Sequence, residues 1–184
     1  SWTNSTTGAL LGSGATLSLN PALVSPSDVI ECSASASDAD GESVNANSSV
    51  TIENTLPILS TVVVTPNSGI TTSETLTCTA SASDADGDTP VVTYTWTNDT
   101  TGDTLSTSSS LTLTATTATP TDSITCTATA TDATGATTSD DASVSVENTD
   151  PTLSGLSITP NSNITTSETL TCAVSASDAD GDTP

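Results

Sequence analysis

The sequence predicts an all-β protein made of tandem β-sandwich domains with about seven strands each. Two observations carry this prediction. Apolar side chains alternate with Ser and Thr along several segments, and whole stretches of the sequence recur at a fixed spacing. Aromatic residues make up only 2% of the chain, so the predicted cores depend on aliphatic side chains and Ala.

The alternation is clearest in two neighbouring segments, Thr75–Ala82 and Val91–Thr97. One face of the first segment carries Leu76, Cys78 and Ala80, and one face of the second carries Val92, Tyr94 and Trp96. Ser and Thr occupy most of the intervening positions. A period of two is the mark of a half-buried strand. Each segment is therefore predicted to be a β-strand, with the acid-rich turn Asp84–Asp88 between them.

The repeat has a period of 94 residues, since Cys126 minus Cys32, Cys172 minus Cys78 and Trp96 minus Trp2 each give 94. This period is too long for a solenoid and suits a string of small sandwiches. The predicted domains are the back part of one unit in residues 1–56, a complete unit in 57–150 and the front part of a third in 151–184. We expect a neighbouring copy to complete the two partial units, either within one continuous polypeptide or from a separate chain.

Turn residues divide the complete unit into strands. The predicted strands are Leu59–Thr65, Thr75–Ala82, Val91–Thr97, a short piece near Thr104–Thr107, Ser110–Thr114, Ser123–Thr131 and Ala142–Glu147. The predicted inward-facing residues are Leu76, Cys78, Ala80, Val92, Tyr94, Trp96, Leu111, Leu113, Ile124, Cys126, Ala128, Val144 and Val146.

The charge composition excludes several functions. The chain has 22 Asp and Glu and no Lys, Arg or His. It lacks the imidazole and amine groups that serve as bases near neutral pH, so we expect that it is not an enzyme. Nucleic acid is excluded as a partner because its phosphates are neutralised by Lys and Arg. No apolar run is long enough to span a bilayer, so no membrane insertion is expected.

The order Cys78, Trp96, Cys126 resembles the immunoglobulin-like sandwich, in which a disulfide joins strands B and F near a Trp on strand C. The segment Ser81–Thr97 is also similar to the Ig-like and PKD-like repeats of large bacterial surface proteins. The resemblance implies a Cys78–Cys126 bridge, and it places Cys172 opposite Cys32 of the next copy. Disulfides indicate a secreted or cell-surface protein. The alternative is four free thiols in a cytosolic protein.

The acidic turns are candidate Ca²⁺ sites, because oxygen ligands on alternate residues around a Gly suit this ion. The Ig-like resemblance brings Asp132, Glu53 and Asn54 to the Asp84–Asp88 turn. The segments Glu53–Pro57 and Glu147–Pro151 also look similar to cadherin-type linkers. The candidate ligands are Asp38, Asp40, Glu53, Asp84, Asp86, Asp88, Asp132, Glu147, Asp178, Asp180 and Asp182. The alternative is that these residues form ordinary turns that carry solubilising charge.

Four Asn-X-Ser/Thr sequons predict glycosylation at Asn4, Asn47, Asn98 and Asn163. Together these features indicate a structural segment of an extracellular filament, stalk or fibre, assembled head-to-tail as a linear array. The alternative is an adhesin that binds carbohydrate or protein ligands through its loops. Fold alone does not separate the two.

Overall fold

The computed structural model describes all 184 residues, Ser1–Pro184, and consists of β-strands joined by turns. This confirms the all-β prediction. No helix is present that is long and apolar enough to cross a membrane. The strands are β1 (Trp2–Asn4), β2 (Ala9–Gly12), β3 (Val29–Ser37), β4 (Ser43–Thr51), β5 (Ile58–Leu59), β6 (Val63–Thr65), β7 (Thr75–Thr79), β8 (Ala82–Ser83), β9 (Val91–Asn98), β10 (Asp103–Ser106), β11 (Ser110–Thr112), β12 (Ser123–Thr131), β13 (Thr137–Ser145), β14 (Thr152–Thr159) and β15 (Thr171–Ser177).

The chain forms two compact units, and each contains several separate segments. Unit 1 consists of Ser1–Ser60, Ser81–Val92 and Thr129–Ser139, and unit 2 of Thr61–Ala80, Thr93–Ala128 and Asp140–Pro184. Strands β9, β12 and β13 contribute residues to both units. These units combine segments that lie close in space but far apart in the sequence. The three domains predicted from the repeat therefore stay a prediction.

Unit 1 contains an antiparallel four-stranded sheet with the order β2-β1-β3-β4. The longest ladder joins β3 to β4 over nine residue pairs, from Val29 opposite Thr51 to Ser37 opposite Ser43. Only Ile30 on this sheet is a fully buried apolar residue, with 1% of its surface exposed. Strands β5 and β8 form a separate short pair in the same unit.

Unit 2 contains the main hydrophobic core. The three-stranded sheet β11-β7-β6 is antiparallel, with Leu111 opposite Leu76. The buried apolar residues of the unit are Val62, Val64, Ile70, Leu76, Cys78, Trp96, Leu111, Leu113, Ala118, Ile124, Cys126, Ala128, Val144 and Val146. The wider four-stranded sheet has the order β10-β9-β12-β13. Strands β14 and β15 pair only with each other.

The disulfide expected from the Ig-like resemblance is present between Cys78 and Cys126, with a Cα–Cα distance of 6.4 Å. Both cysteines are buried in unit 2, together with Trp96, which is 0% exposed. The indole Nε1 of Trp96 donates to the backbone oxygen of Ser108 at 3.0 Å. Cys32 and Cys172 are free thiols; Cys32 is half-buried and Cys172 exposed.

Two predicted strands are interrupted in the structure, Leu59–Thr65 and Thr75–Ala82, and the second is divided into β7 and β8. The segment Leu59–Thr65 is divided into β5 and β6, because β5 pairs with β8 whereas β6 pairs with β7. At the break, the backbone N of Ser81 donates to the Ser60 hydroxyl at 2.8 Å, so this amide takes no part in a regular ladder. Of the predicted inward set, Ala80, Val92 and Tyr94 are only half-buried, and Val62, Val64 and Ile70 join the core instead.

Candidate functional site

The turn Asp84–Asp88 in unit 1 is hydrogen-bonded to the linker Glu53–Pro57, which follows the first predicted domain. Thr55 donates two hydrogen bonds to Oδ2 of Asp86, one from its backbone N at 2.7 Å and one from its hydroxyl at 2.8 Å. The turn is itself ordered because Asp86 N donates to Oδ1 of Asp84 at 2.7 Å. The carboxylate of Asp86 therefore fixes the linker at Thr55.

A third segment, Asp132–Ala136, meets the same linker and turn. Nδ2 of Asn54 donates to Oδ2 of Asp132 at 2.9 Å and to the backbone oxygen of Thr55 at 2.7 Å. The backbone N of Ala133 donates to Oδ2 of Asp88 at 3.1 Å. The predicted proximity of Asp132, Asp88 and the linker is thus present within unit 1.

Asp132 is the most enclosed carboxylate of this site, with 7% of its surface exposed. The Asn54 amide holds the pKa of Asp132 below its usual range, aided by hydrogen bonds from Thr134 and Ala136 that outweigh the effect of burial. Thr134 N and Ala136 N both donate to Oδ1, at 2.9 and 2.8 Å. Since both oxygens already accept hydrogen bonds, Asp132 positions its neighbours.

Three oxygens of the site are buried and accept no hydrogen bond: Oδ1 of Asn54, Oδ2 of Asp84 and Oδ1 of Asp88. In each residue the other polar atom of the side chain is held by a protein partner. Leaving a buried acceptor without a partner costs about 1–3 kcal/mol, and more for a charged group. Three such oxygens in one hydrogen-bonded network suit a cation that binds oxygen ligands.

We tested this site against the Ca²⁺ that the linker resemblance implies. Carboxylate and amide oxygens are the ligands that Ca²⁺ prefers, and the two carboxylates and one amide fit that requirement. No three His, Cys, Asp or Glu side chains converge in metal-binding geometry anywhere in the chain. The amide of Asn54 is therefore essential to the fit. The Ig-like resemblance placed Asn54 near this turn, although all the ligands predicted from the sequence were Asp or Glu.

The other candidate ligands of unit 1 have different environments. Glu53 is exposed, and one oxygen of Asp86 is occupied by Thr55. Asp38 and Asp40 are also exposed. Oδ1 of Asp38 accepts from Asp40 N at 3.1 Å and from Glu42 N at 2.9 Å, which is an ordinary Asx turn. These contacts favour the turn interpretation for Asp38 and Asp40.

Unit 2 contains a second linker with a related contact. Thr149 donates to Oδ2 of Asp180 from its backbone N at 2.6 Å and from its hydroxyl at 2.8 Å. These bonds lower the pKa of Asp180, which is buried and also accepts from the Thr72 hydroxyl at 2.9 Å. Thr149 and Asp180 lie 94 positions after Thr55 and Asp86, since 149 minus 55 and 180 minus 86 both give 94.

The remaining predicted ligands of unit 2 do not form a second buried oxygen cluster. Asp182 is exposed, Asp178 is half-buried, and Glu147 uses Oε1 to accept from Gly69 N at 3.0 Å. Asn148 is exposed and donates to Thr149 O. None of these side chains has a buried oxygen without a partner. The two linkers share the Thr–Asp contact and differ in the oxygens that surround it.

Two of the predicted glycosylation sites are buried. Asn4 and Asn98 are each 1% exposed, and their Nδ2 atoms donate to Asp28 at 2.7 Å and to Asp122 at 2.8 Å. A glycan attached to Nδ2 must project into solvent, so the burial of both side chains argues against modification at these two residues in the folded structure. The sequence does contain a sign of these two Asn–Asp pairs. Their members are equally spaced, since 28 minus 4 and 122 minus 98 both give 24. Asn47 and Asn163 are exposed, and their glycosylation stays a prediction.

Two apolar surfaces are exposed. On β14 and the segment leading into β15, Leu156, Ile158 and Leu170 are 75, 53 and 51% exposed. Cys172 on β15 is exposed as well. In unit 1, Val50 on β4 is 58% exposed, and Cys32 lines an open groove with Ser1, Gly14, Ala34 and Ala46.

Comparison with known protein families and with curated proteins gives no match to this chain. The immunoglobulin-like topology stays a prediction from the sequence, and the all-β architecture is what the structure shows.

Proposed function

We propose that the chain is a structural segment of an extracellular filament or stalk, in which copies are joined head-to-tail through two complementary apolar surfaces. The observation that carries this proposal is a contrast in burial between positions 94 residues apart. Leu156, Ile158 and Leu170 are at least half exposed. Their counterparts Val62, Val64 and Leu76 are 4, 4 and 0% exposed.

The same contrast exists on strand β4 and in the segment between β2 and β3. Val50 and Leu19 are 58 and 46% exposed, whereas the residues 94 positions later, Val144 and Leu113, are 5 and 1% exposed. The two exposed surfaces therefore correspond to the two parts of one core that is closed in the middle of the chain. Docking the β14–β15 pair of one copy onto the β1–β4 sheet of the next would bury both. Burial of each Leu or Val contributes about 1.5–3 kcal/mol.

The free thiols support the same arrangement. Cys172 and Cys32 correspond to the bridged residues Cys78 and Cys126, because 172 minus 78 and 126 minus 32 both give 94. Between docked copies the two thiols can form a disulfide. A small-molecule disulfide accepts the two electrons and two protons and leaves as two thiols. Such bridges persist in oxidising environments, which suits an extracellular location.

The proposal is tested by oxidising the purified chain with glutathione disulfide and separating the products on a non-reducing gel. We expect a ladder of multimers linked through Cys32 and Cys172, and fibres in negative-stain electron micrographs. The variant Leu156→Ser/Leu170→Ser should stay monomeric. The control Leu10→Ser changes a residue that is 73% exposed, whose counterpart Thr104 is exposed too, and it should assemble normally.

An adhesin is the second candidate function, and the same preparation distinguishes it. Monomers under oxidising conditions, combined with binding to a glycan or protein array, would favour the adhesin and contradict the filament. Catalysis is not proposed, since the chain lacks Lys, Arg and His.

A further inference from the structure

The three unpartnered oxygens at the first linker are held in place by the contacts of their own side chains. Nδ2 of Asn54 faces two acceptors, Asp132 Oδ2 and Thr55 O, so a rotation of the amide would set its oxygen against both of them. Asp84 and Asp88 are each fixed by a backbone N–H on one carboxylate oxygen. The remaining oxygen of each residue is buried and has no donor in the chain.

No side chain of the protein can supply a cation to neutralise these carboxylates, because the chain has no Lys, Arg or His. The N-terminal ammonium of Ser1 donates to the backbone oxygen of Ser33 instead. A buried carboxylate is stable when it is paired or bound to a metal. All three free oxygens belong to one network: Asn54 and Asp88 contact the adjacent residues Asp132 and Ala133, and Asp84 is linked through Asp86 to Thr55. The complement to this network is an external cation that takes oxygen ligands.

We propose that the first linker binds one Ca²⁺ through Oδ1 of Asn54, Oδ2 of Asp84 and Oδ1 of Asp88. Asp86 and Asp132 are positioning residues, because their oxygens hold the linker and the neighbouring turn. This ligand set differs from the one predicted by sequence: it includes an amide, and it excludes the exposed Glu53. The site lies within unit 1 and is independent of the proposed assembly between copies.

The chemistry favours Ca²⁺ over the other common metals. The ligands are all oxygens, whereas Zn²⁺ is bound mainly by Cys sulfur and His nitrogen. Ca²⁺ accepts irregular sets of six to eight ligands, whereas Mg²⁺ requires near-ideal octahedral geometry. With two carboxylates and one amide from the protein, water completes the shell. A dissociation constant of about 10⁻⁴–10⁻³ M, typical of extracellular modules, is expected.

The ion would join the linker to the acidic turn at a second point, next to the Thr55–Asp86 contact. Asn54 belongs to the linker and both carboxylates belong to the turn, so bound Ca²⁺ restricts the backbone of residues 53–56. We therefore expect slower amide hydrogen exchange in residues 53–56 and 84–88 when Ca²⁺ is present.

The experiment is a calorimetric titration of the intact, reduced chain with CaCl₂, beside thermal unfolding with and without a chelator. One site with the affinity given above is expected. At about 10 mM Ca²⁺ the melting temperature should rise by about 3–10 °C. Asp84→Asn and Asp88→Asn should each weaken binding at least about tenfold through loss of ligand charge. The matched control is Asp182→Asn, 94 positions after Asp88 and exposed, which should bind as tightly as the wild type.

Hydrogen exchange on the wild-type chain keeps the test valid if a variant fails to fold. Slower exchange in residues 53–56 on addition of CaCl₂ supports the site. The proposal is overturned if CaCl₂ at about 10 mM, well above the expected dissociation constant, produces neither heat nor protection. It is equally overturned if Asp84→Asn and Asp88→Asn bind as tightly as the wild type. In either case the three oxygens hold water alone.

Discussion

The side-chain amide of Asn98 donates a hydrogen bond to Oδ2 of Asp122 over 2.8 Å, and the two residues are 1 and 4% exposed. Oδ1 of Asn98 accepts from the backbone N of Thr100 at 3.0 Å, which caps the turn after β9. Asp122 Oδ2 also accepts from Thr119 N at 2.9 Å. This pair therefore connects the turn after β9 with the segment that leads into β12.

Replacing Asn98 by Ala should lower the free energy of unfolding by about 2–3 kcal/mol, because the buried Asp122 carboxylate loses a donor. Urea denaturation of the purified variant measures the loss. Asn47→Ala is the matched control: it removes an exposed sequon Asn and should change stability by less than about 0.5 kcal/mol. Equal losses in the two variants would contradict a special role for Asn98.

Lowering the pH should reduce the contribution of Asp122 to the free energy of unfolding. Burial raises the pKa of this carboxyl, but the hydrogen bonds from Thr119 and Asn98 outweigh burial and leave it below its usual range. A carboxyl with a lower pKa in the folded chain contributes stability above the unfolded value of about 4 and loses it as the pH falls through the folded value. The stability gap between wild type and Asp122→Asn should therefore narrow below about pH 4. A gap that stays constant in denaturation series down to acid pH would refute this.

Removing the disulfide should strongly destabilise unit 2. The bridge joins residues 48 positions apart, and closing a loop of this length is worth about 4 kcal/mol in the chain-entropy description. We expect Cys78→Ala/Cys126→Ala to lose about this much in urea denaturation. Cys172→Ser, which changes an exposed free thiol, is the control and should leave unfolding of the monomer unchanged. A small loss in the double variant would show that the core alone maintains the unit.

Replacing Gly87 by Ala should lower the thermal stability more than replacing Gly135 by Ala. Both glycines have positive φ angles, +91° and +90°, so Ala is strained at each by about 1–2 kcal/mol. At Gly87 the added Cβ would also lie 2.6 Å from Cβ of Pro21, whereas nothing lies within 4 Å at Gly135. Thermal unfolding should show a larger loss for Gly87→Ala. Equal losses would mean that the Pro21 segment moves away freely.

The strand pattern could be predicted from the sequence because burial follows the alternation of side chains. Leu76, Cys78 and Trp96 were assigned inward from that period, and all three are buried. The boundaries were less predictable, since the division between β5 and β6 depends on hydrogen bonds of Ser60 and Ser81 that no alternation reveals.

The candidate site was predicted as a group of acids and found as a network of specific atoms. The Ig-like resemblance brought Asp132 to the Asp84–Asp88 turn, and in the structure the neighbouring residue Ala133 donates to Asp88. The sequence could not indicate which oxygens are already occupied, because the contacts of Asn54 and Asp132 depend on three segments meeting in space. The Ig-like resemblance placed Asn54 near the turn with Glu53, but nothing in the sequence distinguished its amide as a ligand.

Because the amides of Asn4 and Asn98 are buried, their glycosylation would show whether glycan transfer or folding occurs first during biosynthesis. An oligosaccharyltransferase can reach Nδ2 only before the amide is enclosed, so sugar found at Asn98 would mean that transfer preceded folding of its surroundings. Occupancy at Asn47 carries no such information, since that side chain stays accessible after folding. The ratio of the two occupancies in native material would thus compare the rate of folding with the rate of modification.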